Sequence, residues 1–151
     1  MPLVISDTSC LILYHKLEKL DILGSIFSSL YITEQVAEEY GEELPDWISI
    51  VEIKNRNGYL ELRKLLGQGE ASSIILAEEL TDSLLIIDEK RGRKVAKEKN
   101  LNIIGSLGIL LLAKEKGIIN SVRENIIAIE QTNFRISQKI KQQLLKLARE
   151  E

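Results

Sequence analysis

LLIIDEKRGRKVA, residues 84–96, joins four branched apolar residues to a segment crowded with charge. Strands that are buried on both faces of a parallel sheet are continuously apolar, and residues 84–87 have this character. The run ends at Asp88, so the predicted strand finishes on a carboxylate. In an open parallel sheet, ligands bind beyond the carboxyl ends of the strands, near the point where the strand order reverses. Asp88 therefore indicates a ligand site at that edge of the sheet.

Similar short runs recur along the chain and alternate with segments of helical period, which predicts an α/β fold with a mainly parallel sheet. The predicted strands are LVIS (3–6), LYIT (30–33), WISIVEI (47–53), LLII (84–87) and NII (102–104), a sheet of five. Helices are expected at residues 35–40, 60–66, 70–80, 91–99 and from Ser106, as N-cap, to 116.

The tail from about residue 135 has apolar residues at helical spacing, namely Ile136, Ile140, Leu144 and Leu147. Such a stripe would cover the core or dock a partner. No internal repeat or Pro/Gly-rich linker divides the sequence. Residues 1–151 are therefore expected to form one domain that includes this C-terminal helical segment.

Composition limits the possible functions. A net charge of −3 argues against a protein that coats nucleic acid through bulk positive charge, and an aromatic content of 5% argues against a base-stacking platform. The chain has one cysteine, no signal-peptide pattern and no apolar run long enough to span a bilayer. A cytoplasmic protein without membrane contact is the expectation.

A second strand end also carries an acid. Asp7 follows the first predicted strand as Asp88 follows the fourth. If these two strands are neighbours in the sheet, the two carboxylates lie within reach of one ion. Glu39, with Glu38 beside it, and Glu70 lie on helices that follow strands and could join them.

Each acid also has a purely structural explanation. Asp7 and Asp88 could be turn residues or helix N-caps, and Glu70 could be a first-turn acid favoured by the helix dipole. As a set these roles explain less, because carboxylates about 5 Å apart repel by roughly 3 kcal/mol per pair at an effective dielectric of about 20. A divalent cation removes that cost, and oxygen ligands favour Mg²⁺ or Mn²⁺ over Zn²⁺.

Other classes that handle nucleotides or phosphate lack their motifs here. The sequence contains neither G-x-x-x-x-G-K-[ST] nor G-x-G-x-x-G after the first strand. A haloacid-dehalogenase-type phosphatase needs a second Asp two positions after the first, where this chain has Ser9. The acidic pair and the later Lys of a receiver domain are not evident.

Five segments in order resemble PIN-domain nucleases: VISDTSCLI (4–12), VAEE (36–39), GEASSIILA (69–77), LLIIDEKRGRKVA (84–96) and IIGSLGILLLAKEKGII (103–119). The sequence looks most like the VapC-like toxin branch, which carries a G-E-A segment and a D-x-x-x-G-R segment. The resemblance implies a three-layer α/β/α fold and a ribonuclease dependent on Mg²⁺ or Mn²⁺, acting as the toxin of a type II toxin–antitoxin pair. It also implies RNA and an antitoxin protein as partners, and a homodimer.

On the pattern of that family the acidic site falls on Asp7, Glu39, Glu70 and Asp88. The resemblance implies Asp7 and Asp88 as direct metal ligands, with Glu39 and Glu70 as ligands or as bases that orient water. Glu38 is the alternative for the second position, because adjacent glutamates leave the alignment ambiguous by one residue.

Three further residues are candidates for substrate binding. Ser9 could contact a water at the metal or a phosphate oxygen, and otherwise it caps a helix. Arg91 and Arg93 could contact RNA phosphates beside the metal, with Gly92 allowing a close approach. Otherwise both arginines belong to a solvated helix face.

An alternative of a different class stays open on sequence alone. Four carboxylates permit metal binding without proving turnover, so a PIN-like RNA- or protein-binding module with weak or no cleavage fits the same residues. His15, the one histidine, has no Ser or Cys partner that would indicate a triad, and Cys10 lies in an apolar stretch. Both are expected to be structural.

Overall fold

The computed structural model describes residues 3–151, in which five strands form one parallel sheet. The strands are β1 (Leu3–Ser6), β2 (Leu30–Thr33), β3 (Ile48–Val51), β4 (Ser83–Ile86) and β5 (Asn102–Ile104). Their order across the sheet is β3-β2-β1-β4-β5, and each neighbouring pair is parallel. The predicted α/β fold with a parallel sheet is confirmed.

Helices cover both faces of this sheet. Those in the described part of the chain are α1 (Thr8–Lys16), α2 (Asp21–Phe27), α3 (Glu34–Tyr40), α4 (Arg56–Leu62), α5 (Gln68–Glu79), α6 (Lys90–Glu98), α7 (Ser106–Glu115), α8 (Val122–Glu130) and α9 (Gln138–Leu147). One buried apolar cluster takes side chains from α4, α5 and α6, and a second takes them from α1, α2, α7, α8 and α9. The architecture is a three-layer α/β/α fold. No helix within residues 3–151 has the length and apolar character that crossing a membrane requires.

The apolar run that includes β4 is continuous because both of its faces are covered. Leu85 and Ile87 belong to the cluster under α5, whereas Ile86 belongs to the opposite cluster. Successive strand residues point to opposite faces of the sheet, so the side chains on either face of the run pack against an apolar cluster. Full burial of one such side chain contributes roughly 1.5–3 kcal/mol to stability.

The sheet changes direction between β1 and β4. Strand β2 lies beside β1, and β3 lies beyond β2 at one edge of the sheet. Strands β4 and β5 follow on the other side of β1. In the register of this central pair, Ser6 lies opposite Ile86, and Asp7 N donates to Ile86 O at 2.9 Å. The residues that follow β1 and β4 therefore emerge side by side, which is the position that the strand-end argument requires.

Two features of the helices differ from expectation. Helix α4 begins at Arg56 and ends at Leu62, earlier than the expected 60–66, because the Asn55 side chain accepts from Gly58 N at 3.0 Å and fixes the start. Helices α2 and α8 were not expected at all. Both are one to three turns long and depend on tertiary packing rather than on a strong local pattern.

The C-terminal helix packs on the core through part of the expected stripe, since Leu144 is buried and Ile136 packs against the same cluster. Leu144, Leu145 and Ala148 join the cluster under α7 and α8. Of the other residues of that stripe, Ile140 is 44% exposed and Leu147 is 70% exposed, so they do not cover the core. The inner face of α9 is instead set by the i, i+1, i+4 spacing of the three buried residues.

Candidate functional site

Asp7 is the most deeply buried acid of the candidate site. It follows β1 directly, caps the N-terminus of α1 and is 3% exposed. One of its carboxylate oxygens accepts from Thr8 N at 2.7 Å. Asp7 is thus a helix cap, as the structural explanation predicted, but a cap alone does not require such burial.

Gly69, in the first turn of α5, brings two acids together. A β carbon at this position would overlap Glu39 Oε1 and would lie 2.6 Å from Thr8 Oγ1 and 3.1 Å from Asp7 Oδ1. Thr8 Oγ1 also donates to Glu39 Oε1 at 2.5 Å. The carboxylates of Asp7 and Glu39 therefore face each other over a position that must lack a side chain.

Glu38 and Glu39 differ in what they contact. Adjacent residues of a helix point about 100° apart, so only one of the two turns toward β1. Both residues are exposed, but Glu39 accepts a hydrogen bond from Thr8 Oγ1, whereas Glu38 has no side-chain hydrogen bond within residues 3–151. This geometry favours Glu39 as the second acid of the site.

Glu70 reaches the same region from α5. It is a first-turn acid, as the dipole argument predicted, and its Oε2 is buried without a hydrogen-bond partner among residues 3–151. Burial is the largest cause that raises the pKa of Glu70, and the charges of Glu89 and Glu39 raise it further. A buried carboxylate oxygen without a donor is costly, and a cation or a proton would relieve that cost.

Asp88 lies on the same edge, held by three hydrogen bonds. Ser106 N donates to its Oδ1 at 2.7 Å, and Ser106 Oγ donates to its Oδ2 at 2.6 Å. Ser9 Oγ also donates to Asp88 Oδ2, at 2.9 Å. The N-cap of α7 is Gly105 rather than Ser106, because the Ser106 hydroxyl is directed to Asp88.

Ser9 therefore does not cap α1; that position belongs to Asp7. Its hydroxyl instead ties the first turn of α1 to the residue that follows β4. This contact links the two acidic strand ends, which are 81 positions apart in sequence, into one edge. Ser9 orients Asp88 in this structure.

Burial and the neighbouring negative charges both act on the pKa of Asp7. Its pKa is raised from 3.8 to about 7, chiefly by burial, and the charges of Glu70, Glu39 and Asp88 raise it further against the opposing hydrogen bond from Thr8. All three other acids thus act on Asp7. The four side chains share one electrostatic environment, although they come from four separate segments.

The arginines next to Asp88 have backbone contacts. Arg93 Nη1 donates to Ile87 O at 2.8 Å, and Arg91 Nη1 donates to Leu65 O at 3.2 Å. Arg93 is half-buried and Arg91 is exposed. Each guanidinium has five N–H donors, so one backbone contact leaves donors available. Gly92, between them, packs on Glu70 and does not open toward solvent.

His15 and Cys10 have structural surroundings. His15 Nδ1 is 3.2 Å from the Tyr40 hydroxyl, and the two rings meet edge to face. Cys10 is fully buried in the cluster that includes α1, where burial raises the pKa of its thiol. Neither residue takes part in the acidic site.

The oxygen donors of the site fit a hydrated divalent cation better than a closed metal cage. Within residues 3–151, no three carboxylate, imidazole or thiol groups form a ready-made metal site. Mg²⁺ commonly uses only one or two carboxylates and keeps several waters, so a closed cage is not required. The unpartnered Glu70 Oε2 and the facing carboxylates of Asp7 and Glu39 are oxygen donors that fit such a hydrated ion.

Thr8, Gly69 and Ser106 were not identified as site residues from sequence. Thr8 and Gly69 directly adjoin Asp7 and Glu70 within the VISDTSCLI and GEASSIILA segments. Ser106 follows β5 across Gly105, so the strand-end rule that found Asp7 and Asp88 could have found it too.

The protein-family model DUF3368, described as a PIN domain, matches residues 3–150. Searches of the curated proteins and of the solved structures found no match to the chain.

Proposed function

Because this chain belongs to the PIN-domain family, we propose that it is a metal-dependent endoribonuclease that hydrolyses RNA phosphodiesters. The proposal rests on one observation. Asp7 is almost fully buried, and its pKa is raised by the charges of Glu39, Glu70 and Asp88 in addition to burial. Such clustering is expensive for a fold, and the advantage of a charged over a neutral residue at a helix N-terminus, about 0.3–1 kcal/mol, does not offset it. The acids are better explained by a positively charged ligand.

That ligand is Mg²⁺ or Mn²⁺, with Asp7 and Asp88 as proposed direct ligands. When bound, such an ion would supply an activated water and would neutralise charge that develops on the phosphodiester. Asp7 is held for this role by Thr8 N, and Asp88 by the two Ser106 donors and Ser9. Rigid orientation of ligands by their hydrogen-bond partners is a general property of metal sites.

Glu39 and Glu70 are proposed as further ligands or as bases. A base must lie within hydrogen-bond reach of the water that it deprotonates, and its pKa must be near the working pH. The raised pKa of Glu70 is consistent with that role. Thr8 Oγ1 fixes one oxygen of Glu39 and leaves the other oxygen for water.

Substrate contacts are proposed for Arg91, Arg93 and Ser9. Arg91 is the most accessible of the three and retains donors beyond its contact with Leu65 O. Arg93 and Ser9 are engaged with Ile87 O and Asp88, so we assign them a positioning role as well. The VapC-like motifs further support a proposal that the protein is the toxin of a type II toxin–antitoxin pair, with an antitoxin protein as partner and a homodimeric state.

The test is cleavage of RNA by purified protein with Mg²⁺ or Mn²⁺, compared with Asp7→Asn. We expect cleavage that chelation abolishes and that Asp7→Asn lowers by about 100-fold or more. Glu39→Gln and Glu38→Gln are a matched pair that removes the same charge from adjacent residues. Only Glu39→Gln should impair cleavage.

Equal activity of wild type and Asp7→Asn would indicate a contaminating nuclease and would defeat the proposal. No cleavage by either protein, together with RNA or protein binding, would support the second candidate function, a PIN-like binding module. The observation that favours this second candidate is that residues 3–151 contain no ready-made three-residue metal site.

A further inference from the structure

Strand β3 leaves one edge of the sheet open. It pairs with β2 on one side, and no strand of the described chain lies on its other side. Ser49 and Ile50 are both exposed, and because neighbouring strand residues point to opposite faces, neither face is covered at this point of the edge. The strand sequence ISIV contains neither a charged residue nor a proline, the residues that commonly protect an edge from pairing. Strand β3 is therefore available to pair with a further strand.

Ile50 has the backbone groups that such a strand would meet. Leu30 N donates to Trp47 O at 2.9 Å, and Leu30 lies opposite Ile48 in the register. Bonding residues alternate along a parallel ladder, so Trp47 and every second residue after it bond to β2, whereas Ile48 and Ile50 turn their N–H and C=O groups outward. Ile48 N is already engaged, since it donates to Pro45 O at 3.1 Å. Ile50 is thus the residue of β3 that presents both a donor and an acceptor at the open edge.

The charges that flank β3 are self-complementary. Asp46 precedes the strand and Lys54 follows it, and both side chains are exposed without an ion pair within residues 3–151. A second copy that pairs antiparallel, with Ile50 opposite Ile50, brings Asp46 close to Lys54 of the partner subunit at both ends of the strand pair. An antiparallel pair centred on Ser49 would instead bring Asp46 close to an acid, Glu52, and like charges opposite each other are destabilising. The charges and the outward backbone groups therefore select the same register.

We propose that this edge is the interface of a homodimer, in which β3 pairs antiparallel with β3 of a second copy to form one continuous sheet. The two-fold pairing satisfies the outward N–H and C=O of Ile50 in both copies and places the two Ile50 side chains on the same face, with their Cα atoms about 5.5 Å apart. A second copy is favoured over a strand of another protein, because the complementary charges belong to one sequence. The inference rests on the homodimeric state proposed above and not on the nuclease activity.

The proposed dimer keeps the two acidic sites apart. Antiparallel pairing directs the carboxyl ends of the strands of the two copies to opposite edges of the shared sheet. Asp7 and Asp88 directly follow the runs that contain β1 and β4, so the two clusters of acids lie at those opposite edges. Loss of the dimer should therefore leave kcat/KM per chain unchanged.

The experiment measures the dimer dissociation constant of the full chain by sedimentation velocity. A strand of four residues is a small interface compared with the roughly 1,200–2,000 Å² of stable complexes, so we expect exchange between monomer and dimer at about 1–100 µM. Ile50→Lys should raise the dissociation constant by at least about tenfold, because it places two like charges opposite each other. Ile127→Lys is the matched control, since Ile50 is 51% exposed and Ile127, on α8, is 50% exposed. Urea unfolding of both variants verifies that they fold.

Charge reversal tests the register. Asp46→Lys should weaken the dimer about tenfold, because two attractive pairs become repulsive. Adding Lys54→Asp to the same chain should restore the affinity of wild type, since each pair regains opposite charges. Amide exchange of Ile50 should also be slower in the dimer than in the monomer, because pairing gives its N–H an acceptor.

The interface is supported if Ile50→Lys dissociates the dimer, Ile127→Lys does not, and the double charge reversal restores it. A dimer that persists in Ile50→Lys overturns the interface and leaves the homodimer to another surface. A wild-type chain that is monomeric up to about 500 µM overturns the interface and the homodimeric state together, whether or not a strand of another protein binds the edge. RNA cleavage is scored separately. Cleavage by a monomeric wild type leaves the nuclease function standing, whereas a strand-paired dimer without cleavage defeats the nuclease function alone.

Discussion

Gly92 of α6 packs directly against the buried oxygen of Glu70 in α5, so closely that a β carbon at residue 92 would lie 2.6 Å from Glu70 Oε2. The same β carbon would lie 2.8 Å from Cδ1 of Ile87, which is fully buried. Glycine at this position therefore admits the carboxylate of Glu70. The glycine of the D-x-x-x-G-R segment was expected to allow close approach of a ligand, and it instead allows close approach of an acid of the site.

Gly92→Ala should impair cleavage while leaving the fold nearly intact. The added methyl group displaces the Glu70 carboxylate, and we expect kcat/KM to fall about tenfold or more because a shift of about 1 Å can cost that much in catalysis. Crowding costs about 1–3 kcal/mol, and the higher helix propensity of alanine offsets about 1 kcal/mol of it. Cleavage rates and urea unfolding measure the two effects.

A double-mutant cycle tests whether Glu70 transmits the effect of Gly92→Ala. In a Glu70→Ala background there is no carboxylate to displace, so Gly92→Ala should cause no further loss of residual cleavage or of metal-induced thermal stabilisation. An undiminished loss in that background would show that Gly92 acts through another contact.

Asp7 should make the metal-free protein less stable as the pH rises. Burial first, and then the charges of Glu70, Glu39 and Asp88, raise the pKa of Asp7 from 3.8 to about 7. The unfolded chain loses this proton at a lower pH than the folded chain, so the folded state binds more protons between these values. The contribution of Asp7 to the free energy of unfolding therefore falls between pH 3.8 and about 7 and is level above that range.

Asp7→Asn removes this dependence. We expect the variant to match wild type near pH 4 and to exceed it at pH 7.5, by at most on the order of 4 kcal/mol, when both are measured by urea unfolding in a chelator. Added Mn²⁺ should then raise the Tm of wild type more than that of the variant. Parallel pH profiles for the two proteins would contradict the assigned pKa of Asp7.

The sequence predicted the parts of this fold that depend on local pattern. The observed bounds of β1, β2 and β5 coincide with those of the predicted strands, because each strand is a short apolar run with a clear break in the sequence at its ends. The shared edge of Asp7 and Asp88 follows from strand order, which the alternation of elements constrains. Helices α2 and α8 carry weak local signals, and only tertiary packing defines them.

The contacts within the site could not be read from local pattern. Thr8 meets Glu39 across 31 positions, and Ser106 meets Asp88 across 18. Ser106 has the expected residue type for an N-cap, yet a distant carboxylate competes for its hydroxyl. The choice between Glu38 and Glu39 likewise depends on the rotation of α3 against β1, which one sequence does not specify to a single residue.

Ser106 should influence metal affinity without being a ligand. Its hydroxyl and N–H each donate to one oxygen of Asp88, so Ser106→Ala removes the hydroxyl bond to Oδ2 and leaves Ser106 N and Ser9 Oγ as donors to this carboxylate. Loss of such a supporting hydrogen bond typically lowers metal affinity about 10–100-fold. Mn²⁺ titration calorimetry measures this loss, with Ser137→Ala as control because Ser137 caps α9, outside the site. Equal Mn²⁺ affinity of Ser106→Ala and wild type would show that the Ser106 hydroxyl does not support the metal site.

Glu150 should stabilise the fold by fastening the C-terminus to α8. Its carboxylate accepts from Lys114 Nζ at 2.7 Å, Val122 N at 2.7 Å, Arg123 N at 3.0 Å and Ser121 Oγ at 3.0 Å. Burial alone would raise the pKa of Glu150, but these donors outweigh it and lower the pKa from 4.5 to about 2. A lowered pKa in the folded state contributes stability above pH 4.5 that is lost as the pH falls toward about 2.

Glu150→Gln should lower the free energy of unfolding at pH 7 by about 2 kcal/mol, because hydrogen bonds to a charged acceptor are replaced by weaker ones. For a chain of this size that corresponds to a fall in Tm of about 4–8 °C. Glu151→Gln is the matched control, since the adjacent Glu151 is exposed and has no hydrogen bond within residues 3–151. The difference between wild type and Glu150→Gln should shrink as the pH is lowered from 4.5 to about 2, because protonation removes the same charge from wild type. A difference that persists unchanged at pH 2 would mean that Glu150 stabilises the C-terminus through packing and not through its charge.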